Sequence, residues 1–357
     1  MSTNLASLPT YDRFQTYEWN YQHAPRPVEL EIPDVPGDWR FLGRKVGSPL
    51  GVPAGPLLNG AWCQYYASLG FDVVTYKTVR SVERACYPLP NLQPVDCGQL
   101  AGSEAEVPAV ERMSGSWAVS YGMPSKTPDV WRRDIETTRK QLPAAKVLSV
   151  SVVGTVQEGW TIDDLAEDYA QCAAWAVESG ADCIETNFSC PNVSTCDGQL
   201  YQQPEDAARV AEVVRQRIGK TPYILKIGKL SGHEEAAALL DAVASHADAL
   251  AMTNSIATTV RATDGATQLF DGQKRGICGD ATRQASVAQT RLMHELIRER
   301  GLKLQLIGVG GASTAEHVRE YLAAGAQAVH LATAAMVDPG VALAIRRGMA
   351  EGGMSDA

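Results

Sequence analysis

Residues 181–192 read Ala181-Asp182-Cys183-Ile184-Glu185-Thr186-Asn187-Phe188-Ser189-Cys190-Pro191-Asn192, and the change of character at Asn187 decides the fold. The first six form a compact run that reads as a buried strand. Pro191 disfavours helical backbone at Cys190, so the thiol belongs to a loop just past the strand end. Amides, a hydroxyl and a thiol crowd the six residues that follow. An α/β protein keeps its site at that end of its strands. A polar turn beside a buried, inert cysteine has the same local appearance, so the rest of the chain must decide.

Outward from this stretch, a short β-branched run, a polar turn and a segment of helical period recur along the chain. Strands are predicted near 49–54, 71–77, 147–153, 182–187, 223–227, 248–253, 304–308 and 327–332. Helices are predicted at about 60–69, 126–141, 162–179, 204–218, 233–246, 284–300, 314–324 and 338–350. Asp163/Asp164 and Ser313/Thr314 mark helix starts, while Gly180 and Gly325 mark stops. Eight strands alternating with eight helices predict an α/β chain folded as a (β/α)8 TIM barrel. A doubly wound sheet shares the alternation but usually has fewer units.

Residues 1–45 are rich in proline and aromatics and read as an arm ending in a short hairpin near 38–46, with residues 46–357 as a single barrel. Two stretches look irregular, 78–125 and 255–283. Both follow strands, and long segments of this kind are usually lids or binding loops on the catalytic face.

Composition narrows the function classes. The 357 residues are 45% hydrophobic, with a net charge of −9 and no Lys/Arg run. Nucleic acid and anionic membranes are therefore poor partners. No apolar stretch reaches the roughly 18 residues of a spanning helix, and Met1-Ser2-Thr3-Asn4 lacks a signal pattern, which predicts a soluble, cytoplasmic protein. The eight cysteines (63, 86, 97, 172, 183, 190, 196 and 278) form no Cys-x-x-Cys pair, which argues against a metal or iron–sulfur site.

The polar residues at the strand ends make a consistent set: Lys77, Asn187, Lys226, Thr253-Asn254-Ser255, Gly308-Val309-Gly310-Gly311 and Ala332-Thr333. Lysine is rarely buried without a partner. A single strand-end lysine is commonly solvated, but two at matching ends, facing amides and a thiol, read as functional. The glycine run after the seventh strand and Ala332-Thr333 after the eighth resemble a phosphate cradle, because glycines admit close approach and helix-start N–H groups bind dianions. With Lys226 facing an electron-rich ring, the set describes a phosphorylated planar cofactor, most simply FMN.

These residues match a family pattern. Asn187-Phe188-Ser189-Cys190-Pro191-Asn192 closely resembles the Asn-x-Ser-Cys-Pro-Asn signature of class 1 dihydroorotate dehydrogenases. Lys77 in Thr75-Tyr76-Lys77-Thr78, Lys226 in Leu225-Lys226-Ile227, Asn254-Ser255, Gly310-Gly311 and Ser120-Tyr121-Gly122-Met123-Pro124 follow in the family's order, and the similarity runs over about 41–350.

The resemblance implies an FMN barrel that oxidises (S)-dihydroorotate to orotate in pyrimidine biosynthesis. Cys190 would be the base, aided by Lys77 and Asn187. Lys77, Ser120, Tyr121, Gly122, Met123, Asn187, Asn192, Asn254 and Ser255 would hold the substrate. Ala54, Gly55, Lys77, Thr78, Asn187, Lys226, Thr253, Gly279, Gly310, Gly311, Ala332 and Thr333 would hold FMN. A homodimer is implied, and an electron-acceptor protein is an open partner.

The sequence departs from the family pattern in places. Val119 stands where the family has a substrate-binding Asn, Tyr121 where it has Met, Asn91 where it has Arg, and Ala332 where it has a phosphate-loop Gly. Residues 95–115 resemble an insertion. A missing amide in a site that reads ring amides leaves a buried group on the substrate unpaired, so another cyclic amide or an enone is an alternative substrate. Two other classes fit the lysines: a Schiff-base aldolase-type barrel without cofactor, and a barrel that binds a ligand without chemistry. A yellow protein excludes the first, and loss of function in Cys190→Ser excludes the second.

Overall fold

Val73-Val74-Thr75-Tyr76-Lys77-Thr78-Val79 is buried at every position, as expected for a strand covered on both faces. A computed structural model, which describes residues 8–189 and 196–352, places it in a closed parallel barrel. In chain order the barrel strands are β1 (Leu50–Val52), β2 (Val73–Val79), β3 (Val147–Val152), β4 (Cys183–Asn187), β5 (Tyr223–Lys226), β6 (Ala249–Met252), β7 (Gln305–Val309) and β8 (Ala328–His330). Each pairs with its neighbour in sequence, and β8 pairs back to β1. All eight expected strands are present.

So are the eight helices: α1 (Gly60–Ser68), α2 (Pro128–Gln141), α3 (Ile162–Glu178), α4 (Pro204–Ile218), α5 (His233–Val243), α6 (Arg283–Glu299), α7 (Ala315–Ala323) and α8 (Val341–Gly352). Asp163 and Asp164 lie in the first turn of α3 as expected, and Thr161 is its cap. Its hydroxyl accepts from the Asp164 N–H, while the Asp164 carboxylate accepts from the Thr161 N–H, a capping box. Thr314 caps α7 by accepting from the His317 N–H. Gly180 and Gly325 follow α3 and α7 with φ of +99° and +103°, a conformation that glycine adopts without side-chain strain.

Inward-facing Val73, Val147, Cys183, Ile224, Ala249, Ile307 and Ala328 fill the lower barrel, and Phe41 and Val46 pack against them. Phe41 and Val46 come from the hairpin that pairs Arg40–Phe41 with Arg44–Lys45. The arm is fastened to α1: Asn59 Nδ2 donates to Tyr21 O at 2.7 Å and Trp62 Nε1 to Asn20 O at 3.0 Å.

The two stretches expected to be irregular are mostly loop, but they carry five short strands. They interleave into a five-stranded sheet in the order Leu92–Pro94, Ser116–Val119, Arg275–Gly279, Ile256–Arg261, Glu106–Pro108. Its strands are short, and one of its pairings joins Trp117 to Cys278, far apart in sequence, so no local hairpin signal announces it. Val95, Val107, Ala118, Ile256, Val260 and Ile277 give this roof its own core. Among the described residues, no helix is long and apolar enough to cross a membrane.

Candidate active site

Parallel strands bring their last residues to one mouth of the barrel, and inward side chains there share a cavity. Lys77 on β2, Asn187 closing β4 and Lys226 closing β5 line it. Ala54 and Gly55, just past β1, form part of the same wall, as do Thr78, Tyr121, Met123, Asn254, Ser255, Ala332 and Thr333. An outer lobe is lined by Gly279, Gly310, Gly311 and Ser313. Asn254, Cys278, Val309, Ala332 and Thr333 line both lobes, which therefore adjoin as one groove.

The polar groups of the inner lobe are held in set directions. Lys77 is 6% exposed; its Nζ donates to Gly55 O at 3.3 Å and lies 4.4 Å from the centre of the Tyr121 ring. Asn187 Oδ1 accepts from the Ser189 N–H at 3.0 Å and its Nδ2 reaches Met123 Sδ at 3.6 Å, which fixes the amide plane. Asn254 Nδ2 donates to Ser189 O at 2.6 Å.

Deeper in the barrel are two more ionisable groups. Glu185 precedes Asn187 by two residues on the same face of β4, and burial holds its carboxyl above the usual range while Lys226 pulls the other way. His330 ends β8, and burial together with Lys226 pushes it down to about 3. Its ring is therefore neutral, and neither ring nitrogen has a hydrogen-bond partner among the described residues.

In the outer lobe, Gly279 has φ +103°, and a Cβ there would lie 2.2 Å from Gly115 O. Gly310, at φ +144°, would put a Cβ 2.3 Å from Ser286 Oγ. Bare backbone is thus required around a concave lobe, a shape that fits a phosphate group. Thr333 Oγ1, at the junction of the lobes, is buried without a partner among the described residues. Asp280 also lines this lobe, and Arg283 Nε pairs with its carboxylate at 3.1 Å, offsetting its charge. The chain's own groups fit a phosphorylated planar ring: a glycine cradle at one end, amides and two ammonium groups at the other.

Three expected residues do not line either lobe. Ser120 is buried and its hydroxyl accepts from Arg275 Nε at 2.8 Å. Gly122, at φ +73°, makes room for the Tyr87 ring, which a Cβ would approach to 2.7 Å. Thr253 is fully buried, and its N–H donates to Val309 O at 2.6 Å. Cys190 and Asn192 lie outside the described residues. Asn91 ties two loops together, its Nδ2 donating to Tyr87 O and Ser120 O, both at 2.9 Å.

Sequence reasoning missed Leu92, Trp117, Gly276 and Cys278, which the roof sheet lowers onto the inner lobe, and Met336 beyond β8. The signal for the first four was the length of the two segments after their strands, which located the wall without naming its residues.

Known proteins share this arrangement of sequence and fold. The chain is 30% identical to the dihydroorotate dehydrogenase of Dictyostelium discoideum, over 94% of this chain and 96% of that one. It is 25% identical to the catalytic subunit of dihydroorotate dehydrogenase B (NAD(+)) of Maridesulfovibrio salexigens, over 85% and 89%. Ligand-free DHODH from Eimeria tenella shares the fold, with a TM-score of 0.72 and 19% identity over 92% of this chain and 91% of that one. Residues 39–352 match the dihydroorotate dehydrogenase family model, and the chain belongs to that family.

Proposed function

We propose that this protein is an FMN-dependent oxidoreductase that acts on a CH–CH bond, oxidising (S)-dihydroorotate to orotate in pyrimidine biosynthesis. The observation that carries the reading is the convergence of Lys77, Asn187, Lys226, Asn254 and Ser255 on a lobe that adjoins the glycine cradle. The flavin, when bound, supplies the two-electron acceptor.

The chain's own residues do the rest. Cys190 Sγ takes the proton from substrate C5 as hydride departs from C6, and the remaining C5 electron pair becomes the new double bond. A thiol with an ordinary pKa of ~8.5 is mostly protonated at neutral pH, so the rate rises with pH. Asn187, Asn192, Asn254 and Ser255 read the amide edges of the ring. Lys77, near the ring site, and Lys226, at the end of β5, supply positive charge where electron density accumulates. Gly279, Gly310, Gly311, Ala332 and Thr333 hold the phosphate end.

A second substrate, another cyclic amide or an enone, is favoured by one feature: Val119, beside Trp117 and Leu92, gives the inner lobe an apolar wall. The division into an arm (1–45) and a barrel (46–357), a homodimer, a cytoplasmic location and a separate electron-acceptor protein complete the proposal.

The test is a visible spectrum of the purified protein followed by anaerobic dihydroorotate. Flavin bands that bleach support both cofactor and substrate. Bands that persist keep the flavin and transfer the substrate to the second reading. A colourless protein that FMN does not reconstitute rejects the proposal.

A further inference from the structure

Three tyrosines from two distant parts of the chain meet around Tyr121, beside Lys77. Tyr121 follows the roof strand Ser116–Val119, and Tyr11 and Tyr17 come from the arm. The Tyr17 and Tyr121 ring centres are 5.9 Å apart at 70°, and those of Tyr11 and Tyr121 are 6.0 Å apart at 76°. All three are buried, and Lys77 Nζ lies 4.4 Å from the Tyr121 ring centre and 5.7 Å from that of Tyr17. An ammonium group this close to aromatic faces is attracted by the ring quadrupole, more strongly where water is excluded.

We propose that Tyr17 and Tyr121 are positioning residues that seat the Lys77 ammonium at the wall of the inner lobe, making the docked arm a condition for a competent site. The inference rests on the proposed function only in assuming that Lys77 meets the substrate ring. Lys77 leaves β2 inside the barrel mouth, and its Nζ reaches back toward the Gly55 carbonyl. The rings close the other side. The arm helix Tyr17–Gln22 is short, but its hydrogen bonds to Asn59 and Trp62 of the α1 region tie the position of Tyr17 to the barrel itself. The arm thus backs Lys77 and Tyr121, two residues that line the inner lobe, as well as covering the barrel.

Two measurements on the full-length protein test this. The first is the rate of reductive methylation at Lys77, mapped by mass spectrometry and normalised to exposed Lys140. Tyr17→Leu keeps an apolar side chain but no π face, and is expected to raise the rate roughly three- to ten-fold, the scale of a lost cation–π contact. Tyr17→Phe keeps the face and should stay within about two-fold. Equal rates in the Leu and Phe variants overturn the proposal. If Tyr17→Leu does not fold, Tyr121→Met carries the same comparison.

The second is orotate affinity, read from the flavin spectrum. Tyr17→Leu should weaken it by a similar factor in the wild-type background and have no further effect in Lys77→Met, because the ring acts through the lysine. An equal loss in both backgrounds reduces Tyr17 to packing and rejects the positioning role. Wild-type protein that ignores orotate rejects the proposed substrate instead, while the methylation rates still decide the seat.

Discussion

Lys226 and Asn187 are register partners at the ends of two adjacent parallel strands, so an ammonium and an amide enter the same cavity side by side. Their spacing is set by the ladder itself and not by a loop. Backbone pairing of this kind holds functional groups in place more firmly than loop contacts do.

The proposed role of Lys226 in holding the flavin can be tested without disturbing that pairing. Lys226→Ala should fold, because the strand ladder is unchanged, but bind FMN at least about ten-fold more weakly, the loss expected for a buried charge-assisted contact. The flavin-to-protein ratio after dialysis checks it. A variant that retains a full complement of flavin removes Lys226 from the cofactor site.

Gly279 should be intolerant of any side chain. Alanine there meets Gly115 O at 2.2 Å and must also adopt φ +103°, and neither conflict is relieved by a rotamer change. Gly279→Ala should cost about 1–3 kcal/mol in stability and lower phosphate-end affinity with it. Urea unfolding and inorganic phosphate competition against FMN measure the two effects. Unaltered stability would mean that the roof strand Arg275–Gly279 shifts freely.

Cys190→Ala should bind flavin normally and slow its reduction by substrate by about 10²–10⁴-fold, the usual contribution of a general base. Anaerobic stopped-flow traces at the flavin band measure it. The wild-type rate should climb with pH as the thiol ionises, and the variant should lose that limb.

The barrel was legible from the chain because each buried strand is a local pattern: Val73–Val79 announces itself without reference to any partner. The strand-end residues followed from the same pattern, since Asn187 and Lys226 close their strands and Lys77 lies two residues before the end of its own. The roof was not legible. Trp117 and Cys278 become neighbours only through pairing of two distant short strands, and neither segment alternates long enough to be read alone. For the same reason the arm's aromatics could be read as packing residues, but not as neighbours of Lys77.

Val119 offers a direct test of substrate choice. It lines the inner lobe on the last residue of its roof strand, where an amide would reach a ring carbonyl or N–H. If dihydroorotate is the substrate, Val119→Asn should tighten orotate roughly two- to ten-fold, the value of one added hydrogen bond. Weaker binding, together with retained flavin, would point to a substrate with an apolar edge at this position.

His330 should make the fold sensitive to mild acid. Its ring is fully buried, stacks on Phe41 with centres 5.8 Å apart, and is pushed from 6.5 to about 3 by burial and by Lys226. Below pH 6.5 the unfolded chain takes up a proton that the folded barrel refuses, so unfolding binds protons and stability falls as pH falls. The slope is about 1.4 kcal/mol for each pH unit while the difference persists, which is down to the folded value near 3. Glu185 acts in the opposite direction. Its raised folded value favours the native state below the ordinary 4.5, and that advantage is lost as pH rises through the folded value. Glu185 is present in wild type and variant alike, so a comparison between them isolates the histidine. His330→Met, similar in size and without a titrating group, should flatten the stability profile between about pH 6 and about pH 5 by close to one proton's worth. Urea midpoints at the two pH values measure it, and an unchanged difference between wild type and variant would place the acid sensitivity elsewhere in the chain.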